Sequence, residues 1–394
     1  MKLFRKIFFW CHLLTGVTAG MIIFTMSVTG VLLTYEKQIT SWADLRASRI
    51  ALPSQDASRL PVETLLAEVR KARPGLTINS ITMRAEASVP AGFGFNGGNV
   101  LFLNPYTGAV IGEGSRKVRG FFRVATDLHR WLGAQGDNRA TARAITGACN
   151  FGFLFLVLSG IYMWWPKKWT KEQFRNVMWF RRGLPGKARD FNWHNVIGFW
   201  SVVPLFIIVL SAVVISYNWA GNLVYRLVGE TPPLPRGTPA QSNPVTERGG
   251  RGGETSLDGL NGFWVRAEQQ IFGWKSISLR LPSSSEAPLV FTIDQGNGGQ
   301  PHKRATLTLN RNTGDVVRWE PFSSYTTGRK LRMILRFAHT GEVAGIIGQT
   351  IAGLVSAGGA VLVFTGLALV LRRLRGWIRE ITEHTEITKQ TESY

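Results

Sequence analysis

Four apolar segments, Ile7–Tyr35, Ala144–Trp165, Val196–Ala220 and Val343–Leu371, are each long enough to cross a bilayer, which takes about 20 residues of helix. In lipid such a run has one stable form, the helix, because its backbone must bond within itself. The chain is therefore expected to be a membrane protein built on four transmembrane α-helices. Four spans bring both termini to the same side. The first run is too long for the core of a cleaved secretory signal and leads into EKQITSW, so an uncleaved helix is expected there.

Basic residues close to the spans set the orientation. Lys2, Arg5 and Lys6 precede the first span. Lys167, Lys168, Lys171, Arg175, Arg181, Arg182, Lys187 and Arg189 fill the link between the second and third, and Arg372, Arg373, Arg375 and Arg379 follow the fourth. All three flanks read as cytoplasmic, which leaves the long intervals 36–143 and 221–342 outside. Much of the net charge of +21 thus lies beside the spans, where anionic lipid is a simpler partner than nucleic acid. Cys11 and Cys149 fall in or at the edge of spans and read as packing residues; neither outer interval has a cysteine for a disulfide.

The chain also repeats itself. LFLNPYTGAV (101–110) and LTLNRNTGDV (307–316) share Leu-x-Leu-Asn-x-x-Thr-Gly-x-Val, an extended run into a turn with Gly108 and Gly314 free to take positive φ. A histidine then precedes a span in each half, His129 in DLHRWLG and His339 in FAHTGEVAG. Spans one and three match as well: His12 is followed by Gly16 and Thr29-Gly30, and His194 by Gly198 and Ser211-Ala212. Spans two and four carry Ser159-Gly160 and Thr365-Gly366. Small residues at such depths let helices approach closely, or let a flat ligand lie against a backbone.

Each outer interval opens with a helical pattern, LPVETLLAEVRKARPG (60–75) and LDGLNGFWVRAEQQIFG (257–273), followed by β-rich runs. Two small α+β modules are expected, with a Pro- and Gly-rich linker over 230–255. The expected order is a first span within 1–35, a module over 36–120, a histidine segment and second span over 121–165 and a basic loop over 166–192. A third span over 193–220, a linker and second module over 221–328, a histidine segment and fourth span over 329–371 and a tail over 372–394 complete it.

Of six histidines, four occupy repeat-related positions: His12 and His194 at the cytoplasmic ends of spans one and three, His129 and His339 just outside spans two and four. An ionisable group in or beside a span is by default a functional candidate, and here there are two pairs on opposite sides. Zinc usually wants three or four ligands; Asp127 and Glu342 near the outer pair keep it open there, while the inner pair has only Asp190 nearby. Haem needs two axial ligands and an apolar slot between helices. The favoured reading is two bis-histidine b haems, with Arg130, Arg143 and Arg336 outside and Arg189 inside facing the propionates. His302 and His384 lack repeat partners and read as surface residues.

GFGFNGG (92–98) satisfies the dinucleotide fingerprint, but a strand rather than a helix follows it, and a hairpin loop explains it. MWWPKKW (163–169) reads as an aromatic belt with a Pro stop and a basic edge. No nucleophile and base pair stands out.

WCHLLTGVTAGMIIFTMSVTG, DLHRWLG with SGIYMWWPKK, WHNVIGFW and AHTGEVAGIIGQ resemble the PepSY-associated transmembrane family, and LNPYTGAVIG resembles the end of a PepSY module. The resemblance spans nearly the whole chain and is strongest to di-haem ferric-siderophore reductases of the bacterial inner membrane. It implies haem-mediated reduction of iron held by a siderophore, of hydroxamate type, on the periplasmic side. Electrons would come from a cytoplasmic donor or a membrane quinol. Phe121, Phe122, Trp131 and Tyr325 would wall the acceptor site, with Arg130 as a polar contact. The second module departs from the pattern by carrying Arg311-Asn312 in place of Pro105-Tyr106. From the residues alone, two other classes stay open: a non-catalytic assembly or sensing protein, and a metal transporter.

Overall fold

The computed structural model describes residues 2–51, 57–165, 170–233, 258–282, 284 and 287–391. Most of the expected linker over 230–255, Lys167 and Lys168, and the side chain of His384 lie outside the described residues. In chain order, α1 (Lys2–Leu33) leads to α2 (Glu36–Ser48) and α3 (Val62–Ala72), then to β1 (Ile78–Arg84), β2 (Ala91–Phe95), β3 (Asn99–Leu103) and β4 (Val110–Glu113). Next come α4 (Arg116–Trp131), α5 (Asn138–Trp164), α6 (Lys171–Met178), α7 (Gly186–Ser216), α8 (Asn218–Leu227) and α9 (Leu260–Gln269). Strands β5 (Ser276–Arg280), β6 (Leu289–Asp294), β7 (Arg304–Leu309) and β8 (Val316–Pro321) precede α10 (Thr327–His339) and α11 (Gly345–Thr391).

Helices α1, α5, α7 and α11 are long and apolar enough to cross a membrane, which makes this a multi-pass membrane protein. They pack in a ring: α1 and α7 each touch both α5 and α11, so α1 and α7 stand diagonally. The third span starts earlier than its apolar run. Helix α7 begins at Gly186 rather than Val196, because its polar first turns are paired instead of facing lipid. Asn192 accepts from the Arg181 N–H at 3.0 Å and donates to the Asn176 carbonyl at 2.9 Å. The same helix stops at Ser216, where Tyr217 turns extended, and Ala220 falls in the separate α8. Cys11 is exposed on α1 and does not pack inward.

The two outer modules form one body. Their strands make a single antiparallel sheet in the order β4-β3-β2-β1-β5-β6-β7-β8, joined where β1 pairs with β5 from Ser80↔Arg280 to Arg84↔Ser276. One face is apolar because alternate residues such as Ile81, Phe93, Ile277 and Phe291 point to the same side and meet α3 and α9 in one core. Those two helices cap each other. Asn261 Oδ1 accepts from the Glu63 N–H at 3.0 Å, while Glu63 Oε1 accepts from the Asn261 N–H at 3.2 Å.

The repeated turns are built alike. Asn104 Oδ1 accepts from the Tyr106 N–H at 2.9 Å, and Asn310 Oδ1 from the Asn312 N–H at 2.8 Å. Gly108 (φ 74°) and Gly314 (φ 73°) then take the left-handed conformation. The Pro105-Tyr106 to Arg311-Asn312 difference therefore leaves the turn intact. GFGFNGG forms β2 and the loop into β3, a hairpin as the sequence implies.

A shared core makes one prediction. Phe291 is 0% exposed, and Phe291→Ala should cost about 3–5 kcal/mol. Limited proteolysis of the purified protein should show cleavage increasing in both halves of the sheet together. Two independent modules would leave the first half protected.

Candidate functional site

The four repeat-related histidines share one arrangement. On the side of the bundle away from the sheet, His12 Nδ1 lies 2.8 Å from Ser159 Oγ and His194 Nδ1 lies 2.9 Å from Thr365 Oγ1. On the sheet side, His129 Nδ1 lies 3.0 Å from Thr29 Oγ1, and His339 Nδ1 lies 2.9 Å from the Ile208 carbonyl with Ser211 Oγ at 3.5 Å.

These contacts assign the tautomer. Ser159, Thr29 and Thr365 donate their hydroxyl protons to the carbonyls of Phe155, Thr25 and Val361 at 2.6, 2.6 and 2.8 Å. A hydroxyl has one proton to give, so its remaining role toward the imidazole is to accept. For His339 the partner is a carbonyl, which can only accept. Each Nδ1 therefore carries the proton, and each Nε2 keeps a lone pair on the opposite edge of the ring, the state required of a metal ligand.

Beside three of the hydroxyls a glycine gives the ring its space, whereas Ser211 is followed by Ala212. A Cβ at Gly366 would stand 3.5 Å from His194 Cε1, one at Gly30 3.6 Å from His129 Cε1 and one at Gly160 3.8 Å from His12 Cε1. Sequence reasoning found these Ser/Thr-Gly pairs but not their partners. The signal was present: each pair lies at the depth of a histidine on a neighbouring helix.

The sheet-side pair is spaced for a shared ion. Two imidazole nitrogens bonded to one metal from opposite sides stand roughly 4 Å apart, and the half-ring behind each brings the centroids to roughly 6 Å. The His129 and His339 centroids are 6.3 Å apart, with ring planes at 55°. Burial, and then the charge of His339, pushes His129 down to about 4; burial, with the charge of Arg336, also lowers His339. Both are neutral at neutral pH and available as ligands. On the far side, His12 and His194 lie on the diagonal helices α1 and α7, near enough for His194 to act electrostatically on His12.

Asp127 and Glu342, the carboxylates expected near the sheet-side pair, are engaged elsewhere: Asp127 with Arg139 at 3.7 Å and Glu342 with Lys37 at 2.8 Å. Among the described residues, no three His, Cys, Asp or Glu side chains gather as a metal cluster.

Arginines surround the sheet-side site. Burial lowers Arg130, followed by the charges of Arg336, Arg143 and Arg139, so the four form one cationic cluster. Arg130 and Arg139 lie over the Trp131 ring at 4.5 and 4.4 Å. Of the expected acceptor wall, Phe121 is 53% exposed, but Phe122 and Tyr325 are only 2% and 7% exposed and serve packing. His302 is exposed, as expected of a residue without a repeat partner.

The helices carrying His129 and His339 are anchored by equivalent carboxylates from the segment that leaves the preceding span. Asp44 of α2 accepts from the Ser115 N–H at 2.8 Å and pairs with Arg119, holding the start of α4. Glu230, after α8, accepts from the Gly328 N–H at 3.0 Å at the start of α10. Sequence reasoning missed both, because neither lies near a histidine in the chain.

The model of the PepSY-associated TM region matches residues 9–373. No curated protein matches the chain.

Asp44 has a 7% exposed side chain, and Asp44→Ala leaves Arg119 without its charge partner, so a loss of about 3–5 kcal/mol is expected. Hydrogen exchange should speed up across α4 and stay slow across α10, whose anchor is untouched.

Proposed function

The chain belongs to the PepSY-associated TM region family, and from that premise we propose that it is a di-haem electron-transfer protein of the bacterial inner membrane that reduces ferric siderophores. The observation carrying this reading is the set of four imidazoles, each with Nδ1 bonded to a neighbouring helix and so with its Nε2 lone pair on the opposite edge, in two pairs at opposite ends of one bundle. A haem b held between two imidazoles supplies one-electron transfer with no open coordination position. The proposed axial ligands are His12 and His194 on the cytoplasmic side, and His129 and His339 on the periplasmic side.

The residues around each pair fit an acidic macrocycle. Gly30, Gly160 and Gly366 leave the imidazoles room, and the apolar helix faces exclude water. Arg130, Arg143 and Arg336 would meet propionates on the periplasmic side, and Arg189 on the cytoplasmic side. The basic flanks support cytoplasmic termini, with the sheet in the periplasm. Electrons would come from a cytoplasmic or quinol donor. The proposed substrate is a ferric siderophore of hydroxamate type; reduction to the ferrous state weakens hard-oxygen coordination and frees the metal.

A visible spectrum of the purified protein tests the cofactor: a Soret band with sharp reduced α and β bands is expected. His12→Ala and His194→Ala should each remove the same haem, and His129→Ala and His339→Ala the other. Thr365→Val keeps the shape but removes the acceptor of His194, and should weaken haem retention about 10–100-fold at the cytoplasmic pair. Loss of haem from His302→Ala instead would reject the assignment.

The activity has its own test. Chemically reduced protein, mixed anaerobically with a ferric hydroxamate siderophore, should reoxidise while a ferrous chelator captures iron. Reoxidation by other acceptors alone would keep electron transfer and remove the siderophore. A protein with no haem spectrum at all would favour an assembly, sensing or metal-transport role.

A further inference from the structure

Asp190 lies one helical turn before His194, on the same face of α7. It is 3% exposed and holds two guanidinium groups. Arg372 of α11 donates from Nε at 3.2 Å and comes within 3.0 Å through Nη2, both toward Oδ2. Arg189 donates to Oδ1 from Nη2 at 3.1 Å and from Nε at 3.2 Å. Gly186 is fitted to this cluster, since a Cβ there would stand 2.9 Å from Nη1 of Arg372.

The next residue of α11 turns the other way. Arg373 lies over the rings of Phe9 and Trp10 on α1, at 5.1 and 5.2 Å. Consecutive arginines thus tie the end of α11 to both helices that carry the far-side histidines.

The first repeat has no counterpart. Phe8 occupies the place before His12 that Asp190 occupies before His194, and Pro166 follows Ser159 at the interval by which Arg372 follows Thr365. Helix packing alone does not call for this cluster, because a buried ion pair is often no more stabilising than apolar residues of the same volume. Two cations on one buried carboxylate leave a net positive charge about a turn from His194, with the Arg189 and Arg372 side chains 51% and 41% exposed.

We propose that Asp190 is a positioning residue of the far-side centre: it fixes Arg372 and Arg189 so that their net positive charge faces the acidic groups of the cofactor and favours its reduced state. This rests on the haem reading above. Charge and hydrogen bonding around a haem are levers on its potential.

The test is a potentiometric titration of the purified holoprotein, with His12→Ala used to identify the periplasmic centre. Asp190→Asn removes a negative charge and should raise the midpoint of the far-side centre. Arg372→Gln removes a positive charge and should lower it. Asp190→Glu and Arg372→Lys should stay near wild type, and the other centre should not move. Should Asp190→Asn fail to fold, Arg372→Gln against Arg372→Lys decides the sign, and the exchanged pair Asp190→Arg with Arg372→Asp should restore folding. A structural brace would loosen in either variant and shift both midpoints the same way; that result, or no shift, overturns the proposal and leaves the haem reading standing. A wild-type protein with no titratable centre overturns both.

Discussion

The bundle depends on where four imidazole N–H groups end. In an apolar interior an unbonded N–H costs several kcal/mol, so a histidine between helices must find an acceptor on a neighbour. Three of them find a Ser or Thr hydroxyl whose own proton is already committed to the carbonyl one turn back. The fourth finds a backbone carbonyl directly. This chain of donors fixes each ring's tautomer and ties α1 to α5, α7 to α11, α4 to α1 and α10 to α7. Two of the four contacts in the ring of spans, α1 with α5 and α7 with α11, thus carry a histidine bond, while α1 with α11 and α5 with α7 meet without one among the described residues.

The extramembrane sheet does for the sheet-side pair what the spans do for the other. His129 and His339 lie on short helices outside the four spans, and a short helix has little stability of its own. Each is held at its start by a carboxylate and at its histidine by a span. The loops of the joined sheet add further contacts: Arg119 of α4 donates to the Gly98 carbonyl at 3.3 Å, and Lys37 of α2, which also pairs with Glu342 just after His339, donates to the Gly298 carbonyl at 3.4 Å. Because β1 and β5 pair, both loops belong to one sheet.

Much of this was legible in the sequence. The four spans followed from apolar length, the hairpins from Asn-x-x-Thr-Gly, and the histidine positions from the internal repeat. The fusion of two modules into one sheet was not legible, since β1 and β5 alternate like any half-buried strand and carry no mark of which edge they join. The early start of α7 was hidden because Asp190 and Asn192 look like loop residues until their partners are known. The role of Ser159, Thr29 and Thr365 was half visible: their recurrence was plain, but hydrogen bonding to a helix distant in sequence leaves no local pattern.

Duplication yields a near-symmetric frame, and the charges around the histidine pairs do not follow it. Arg130, Arg139 and Arg143 stand next to His129, and among the described residues the second repeat adds only Arg336, three residues before His339, to that cluster. At the far end the second repeat has Arg189 and Arg372 on Asp190, whereas the first has Phe8 in the matching place and Arg5 on the Met163 carbonyl. Two imidazoles related by a pseudo-dyad hold a flat ligand equally well in either sense, so they cannot choose its in-plane orientation. Charges placed unequally between the repeats could. On the di-haem reading, the three arginines after His129 at the sheet side and the Asp190 cluster at the far side would give two sites with like ligands and unlike surroundings.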